Sequence, residues 1–162
     1  MDLKKVIYIL VSVLAISLIV AIIAANREKE VKPYSYEVAQ KKFENDDTFL
    51  FIIGQTTCGA CIRYKEGALK SYINKKPDVE VVYIDIDEIV PEELLDIEDK
   101  DEQTEKIKAL YNDFLKDFDR TIDTLRTPTT FFVKKGDVNT NDVLVGNVSY
   151  KELKDFVDRH NQ

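Results

Sequence analysis

Tryptophan is absent, and 162 residues hold only two cysteines and one histidine. The cysteines, Cys58 and Cys61, are three apart, which excludes a framework of structural disulfides. A four-ligand zinc site within one chain lacks donors, because His160 alone could add a third soft ligand. His160 is two residues from the C-terminus and reads as a solvated tail residue. Positive charge is also short: 23 Lys and Arg stand against 30 Asp and Glu. Residues 33–162 hold 18 basic and 27 acidic side chains, a net of −9. Such a surface does not bind nucleic acid through its phosphates, and an anionic membrane surface repels it. No internal repeat is present.

Apolar residues are concentrated at one end. Val6 to Ala25 reads VIYILVSVLAISLIVAIIAA and carries no charge over 20 residues. At the rise of an α-helix it spans roughly 30 Å, the thickness of a bilayer's hydrocarbon core. It is too long for the apolar region of a cleavable signal peptide, although Ala24-Ala25-Asn26 leaves cleavage open. A buried core helix would show a polar face. No cysteine follows the segment, so lipid attachment there is excluded. The Lys/Arg count of the flanks slightly favours a cytoplasmic body. The tail of five residues before the segment and the lone exchange-type cysteine pair favour the opposite orientation. The expectation is a signal-anchor over residues 6–25, a tether over 26–34 and an extracytoplasmic domain over 35–162, which is long enough to bury a sizeable core.

Hydrophobic patterning orders the rest. Ser35 can cap a helix from Tyr36 to about Asn45. Thr48 to Ile53 is a continuous apolar run ending at Gly54, as a strand covered on both faces requires. A helix is expected from about Cys58 to Lys75, with Ile62, Leu69, Tyr72 and Ile73 on one face. Val79 to Ile86 is β-branched and strand-like. Residues 88–105 hold nine Asp and Glu against one Lys. That run reads as a solvated loop, a docking surface for a basic partner or a divalent-cation site; it has no EF-hand pattern. Ile107, Leu110, Tyr111, Phe114, Leu115 and Phe118 form one helical stripe. A strand follows over Thr129–Val133, a turn at Lys134–Asp137, a returning strand over Val143–Val145, and a last helix opened by the capping box Ser149/Glu152. The first strand pair is joined by a helix and should be parallel; the last pair is joined by a short loop and should be antiparallel. The expected fold class is α/β, one mixed sheet with helices on both faces and an acidic helical insertion at about 88–124.

Cys58-Gly-Ala-Cys61 falls where a central strand passes into a helix. The first turn of a helix has free N–H groups and the positive end of its dipole, so a thiolate there is stabilised. Cys58 is thereby the exposed nucleophile. Cys61, one turn deeper, is the resolving thiol that closes the intramolecular disulfide. Half of a zinc site is the rival reading, and the other half is missing. A purely structural disulfide would close a very small loop, where the entropic gain is least.

With these pieces in place, residues 35–160 resemble a thioredoxin. The resemblance rests on Phe49–Gly54, Cys58-Gly-Ala-Cys61, Val79–Asp87, Thr127-Pro128-Thr129 before Phe131-Phe132-Val133, and Val145-Gly146 before the final helix. It implies that Pro128 is cis and faces the disulfide. It also implies that the backbone of Thr127 pairs with an extended substrate segment. Three positions depart from the family: Thr57 stands where Trp is usual, Ala60 where Pro is usual, and Ile52 where a buried carboxylate is usual. Exchange chemistry survives these changes, since it needs only two sulfurs and the helix end, and no cofactor. The anchor, the C-x-x-C and the excursion before Pro128 resemble the layout of membrane-anchored thioredoxin-like accessory proteins of Gram-positive bacteria, including the bacteriocin transport accessory type. Two functional expectations follow. One is a membrane-tethered thiol–disulfide oxidoreductase acting on exported proteins, with an unknown redox partner. The other is a peptide-binding accessory module of a secretion or bacteriocin export complex.

Overall fold

The computed structural model describes residues 12–19, 28–75 and 77–162. Residues 12–19 are helical with exposed side chains; the rest of the expected 6–25 anchor lies outside the described residues. Among the described residues no helix is long and apolar enough to cross a membrane.

Four strands make one mixed sheet in the order β2-β1-β3-β4. Strand β1 is Phe49–Gly54, β2 Glu80–Asp85, β3 Thr129–Lys134 and β4 Asp137–Val145. As expected, β1 runs parallel to β2, from Phe49 opposite Glu80 to Gly54 opposite Asp85. It is antiparallel to β3, which is antiparallel to β4. All six residues of β1 are buried. Because side chains alternate along a strand, Phe49, Phe51 and Ile53 join one apolar cluster, and Leu50 and Ile52 join the other.

Helices cover both faces. Helix α1 (Tyr36–Glu44) is capped by the Ser35 hydroxyl, which accepts from the Val38 N–H at 3.4 Å. After the short helix α3 (Glu92–Leu95) comes helix α4 (Lys100–Leu115), which continues as a 3₁₀ turn over Lys116–Phe118. Ala39, Phe114, Leu115 and Phe118 pack with Phe51, Val82, Ile84 and Phe131 on one side. On the other side, Tyr64, Leu69 and Tyr72 of helix α2 (residues 59–74) and Leu153, Phe156 and Val157 of helix α5 (Tyr150–His160) pack on Leu50, Ile52, Tyr83 and Phe132. The capping box at Ser149 and Glu152 forms in both directions.

Helix α2 is not regular. It is α over Gly59–Tyr64, π over Lys65–Leu69 and α again over Lys70–Asn74. This corrects the expected apolar face. Ile62 and Leu69 are seven apart and share a face only in an unbroken α-helix. The wider π turn delays the helix, so Cys61 and Tyr64 turn inward and Ile62 is 45% exposed.

Two further expectations change. Strand β4 begins at Asp137, not Val143. The turn is only Lys135-Gly136, both with positive φ (53° and 77°), so pairing resumes at once. The polar stretch Asp137–Asp142 concealed the strand, and a register shift between Thr130 and Phe132 accommodates it. His160 is not a solvated tail residue. It stacks on Phe132 with centroids 5.2 Å apart, and its Nε2 is 2.9 Å from Asp142 Oδ2. The C-terminal turn is thus fixed to β4 by an amphipathic ring, apolar on one side and hydrogen-bonded at its edge.

Gly54 ends β1 against the Tyr83 ring of the next strand: an added Cβ would overlap Tyr83 Oη and Cζ and lie 2.9 Å from Cε2. Gly54→Ala should therefore destabilise the domain by about 1–3 kcal/mol through overpacking. Urea unfolding measures this, and Tyr83→Phe in the same chain should not restore stability, because the ring carbons overlap as well.

Candidate active site

The end of β1 passes through Gln55-Thr56-Thr57 into α2, and Cys58 is the N-cap of that helix. Its sulfur accepts the Cys61 N–H at 3.3 Å, so one of the free donors of the first turn rests on the sulfur itself. The Cys58 thiol donates to the Thr127 carbonyl at 3.4 Å. The Thr127–Pro128 bond is cis, as the resemblance implies. Cys58, Cys61, Thr127 and Pro128 are thus brought to one place, Cys58 and Thr127 being 69 residues apart in the chain. Both cysteines are free thiols; Cys58 is partly exposed and Cys61 fully buried.

The two sulfurs sit in opposed environments. For Cys58, burial favours the neutral thiol, but hydrogen bonds with the Cys61 and Thr127 side chains and with the Cys61 and Ala60 backbone outweigh it, and the pKa falls below the ordinary thiol value. Cys61 is pushed up to about 11, first by burial and then by its hydrogen bond with Cys58, with Gln55 and Thr127 pulling the other way. The two thiols differ in the sense that an attacking and a resolving thiol would require.

A polar network holds the loop, and sequence reasoning did not find it. Asp85, 2% exposed, accepts from the Thr56 hydroxyl and from the Asp87 N–H. Gln55 bridges outward: its Nε2 donates to Asp87 Oδ1 at 3.3 Å, and its Oε1 accepts from the Thr127 hydroxyl at 3.1 Å. The available signal was an Asp inside a β-branched strand, directly opposite the glycine that ends β1. Exposed Ile62 adds an apolar surface one helical step from Cys61. Among the described residues no group of three His, Cys, Asp or Glu side chains is placed to hold a metal ion.

The asymmetry is measurable. Iodoacetamide should label Cys58 first in the reduced protein, with a rate that falls only as the pH drops through a value below that of a free thiol, about 8.5. Cys61 should react only in strongly alkaline solution, as its pKa of about 11 requires. Peptide mapping after labelling over a pH series distinguishes the two; equal labelling at neutral pH would contradict the assignment.

No protein-family model matches the sequence, and no curated protein sequence matches it either. Solved structures do. Thioredoxin NaTrxh from Nicotiana alata is 20% identical at a TM-score of 0.52, over 82% of this chain and 97% of that chain. The reduced desulfothioredoxin from Desulfovibrio vulgaris Hildenborough is 16% identical at a TM-score of 0.51, over 81% of this chain and 99% of that chain. By this likeness, the chain has a thioredoxin-like fold.

Proposed function

We propose that this chain is a membrane-tethered thiol–disulfide oxidoreductase that exchanges disulfides with exported proteins through Cys58 and Cys61. The observation that carries this reading is the pair's asymmetry at the start of α2: a lowered, partly exposed thiol on the helix N-terminus above a raised, buried one. The Cys58 thiolate attacks one sulfur of a substrate disulfide. A mixed disulfide forms, and the other substrate sulfur leaves with the electron pair of the broken bond and takes a proton. Cys61 then loses its proton, attacks Cys58, and closes the intramolecular disulfide as the second substrate sulfur departs as a thiol. Two electrons pass from the cysteine pair to the substrate, and the sequence runs in reverse when the pair begins oxidised. A redox partner resets the pair.

Thr127 and Pro128 form the substrate-facing wall. The Thr127 carbonyl binds the Cys58 thiol only while that thiol is protonated, so ionisation frees it for a substrate backbone N–H. Exposed Ile62 supplies an apolar contact beside it. The tether is supported by the uncharged stretch from Val6 to Ala25 and by residues 12–19, which are helical and leave Val13, Leu14, Ile16, Leu18 and Ile19 exposed. A body of net charge −9 is held near an anionic membrane by this anchor and not by its surface.

Cys61→Ser should accumulate mixed disulfides with exported proteins, separated by reductant on a gel, and Cys58→Ser should accumulate none. Equal trapping by both would remove the assigned roles. Complementation of a deletion strain by the double variant Cys58→Ser, Cys61→Ser would instead favour the peptide-binding accessory module. Protease added to cells stripped of their wall should digest the domain; full protection would place it on the cytoplasmic side.

A further inference from the structure

Gln55 joins the two walls of the cleft at Cys58, and the exchange steps above give it no part. Its main-chain carbonyl accepts the Cys58 N–H at 3.3 Å. Its side-chain Oε1 accepts the Thr127 hydroxyl at 3.1 Å, and the Thr127 carbonyl accepts the Cys58 thiol at 3.4 Å. These bonds close a ring through Cys58, Gln55 and Thr127, with Gln55 and Thr127 72 residues apart in the chain. The loop before α2 makes one wall, and the segment before β3 makes the other.

The Gln55 amide is held in one sense. Its Nε2 donates to Asp87 Oδ1 at 3.3 Å, and the same oxygen accepts from the Tyr111 hydroxyl at 3.4 Å. A flipped amide would set its oxygen against the Asp87 carboxylate, an acceptor facing an acceptor. Asp87 is itself fixed, because its N–H donates to Asp85 Oδ1 at 3.1 Å. Groups outside the cleft therefore aim the acceptor end of Gln55 at Thr127.

The ring opens during the reaction. The Thr127 carbonyl accepts from Cys58 only while that sulfur carries a proton, and neither the thiolate nor the mixed disulfide has one to give. The bond between Gln55 and the Thr127 hydroxyl does not involve the sulfur, so it still joins the walls in those states. We propose that Gln55 is a positioning residue for substrate: by holding the Thr127 side chain, it keeps the Thr127 carbonyl turned to the cleft after Cys58 ionises, ready for a backbone N–H of the segment that carries the substrate disulfide. The inference rests on the exchange reading of the cysteine pair. Gln55 acts through Thr127 and exchanges no proton or electron. An acceptor fixed in advance costs little ordering when the substrate arrives, and a small disulfide without a peptide backbone gains nothing from it.

The test compares two probes with one leaving group, using the reduced full chain in detergent and a stopped-flow spectrometer. One probe is an acetylated pentapeptide amide, Ala-Ala-Cys-Ala-Ala, joined through its thiol to 2-nitro-5-thiobenzoate. The other is 2-mercaptoethanol joined to the same aryl thiol. The Cys58 thiolate bonds to the peptide or hydroxyethyl sulfur, and the coloured aryl thiolate leaves with the electron pair of the broken bond. The unsubstituted chain should prefer the peptide probe. Gln55→Met, of similar length but without the amide, should lower that preference about tenfold, as expected for a hydrogen bond lost to substrate. Thr127→Val removes the other half of the bond and should lower it equally. The double variant should fall no further than either single one. If Gln55→Met does not fold, Thr127→Val alone decides, by the same fall or by its absence. An unchanged preference, including equal slowing with both probes, would overturn the role of Gln55 and leave the exchange reading intact. Effects that multiply in the double variant would overturn it too, because the two residues would then act separately. So would an unsubstituted chain with no preference for the peptide, since no backbone pairing would exist to be positioned. Release of aryl thiolate from neither probe by the unsubstituted chain would overturn the exchange reading and this inference with it.

Discussion

A single N–H resting on a sulfur joins the chemistry to the fold. The Cys61 amide donates to Cys58 Sγ at 3.3 Å only because Cys58 is the residue at which β1's extension becomes α2. A residue earlier, the sulfur would face the loop; a residue later, it would lie along the helix wall beyond the free donors of the first turn. That position depends on β1, which is buried on both faces and hydrogen-bonded on both edges, to β2 and to β3. The least deformable strand of the domain therefore delivers the reactive sulfur. The same placement separates the two thiols, because one turn of helix carries Cys61 into the packed layer while Cys58 stays at the rim. Burial raises both; the difference is that Cys58 gathers enough donors to reverse the effect and Cys61 does not.

The loop before Cys58 is held by acids, not by packing. Asp85 takes the Thr56 hydroxyl, and Asp87 takes Gln55 Nε2. Asp87 also accepts from the Tyr111 hydroxyl at 3.4 Å, on helix α4 of the acidic excursion. Through Gln55 the chain of bonds ends at the Thr127 hydroxyl, next to the carbonyl that Cys58 touches. The excursion is thus bonded to the site, although most of its carboxylates point to solvent. Ile52 leaves the central strand without a carboxylate; among the described residues the buried acid is Asp85, at the end of the neighbouring strand. Such networks gain rigidity when each member is satisfied, and Asp85 has two donors.

Much of this was legible in the sequence. The run Phe49–Ile53, the β-branched run before Asp85 and the Ser149/Glu152 box are local signals, and local signals set each of those elements. The C-x-x-C was legible for the same reason: its chemistry follows from spacing and from the strand-to-helix transition. What was hidden depends on tertiary contact. Nothing in Lys65–Leu69 announces a π turn, and without it Ile62 reads as core. Asp137–Asp142 lacks the alternation of a half-buried strand, because it lies at the sheet's polar edge and pairs on one side only. His160 looked idle because its partners, Phe132 and Asp142, are 28 and 18 residues away. Tyr83 passed as a strand aromatic, since a buried phenol differs from a buried ring only by what its oxygen meets.

The two edges of the sheet are managed differently, and this bears on how the domain could be presented. The β4 edge is blunted by polar side chains and by a register shift, a common guard against edge-to-edge pairing. The β2 edge is covered by the segment before α1: Pro33 bridges to Tyr83, and the Tyr34 N–H donates to the Tyr83 carbonyl at 2.8 Å. Lys42 and Tyr34 both bond the Glu80 carboxylate beside that bridge, which ties the segment to α1 as well. Under the proposed anchor, the pull of the membrane would reach the domain along β2's edge. Cys58, Ile62 and the Thr127–Pro128 turn lie instead where β1 and β3 meet the start of α2. A domain held by its β2 edge keeps that rim free, so tethering and substrate access do not compete for the same surface.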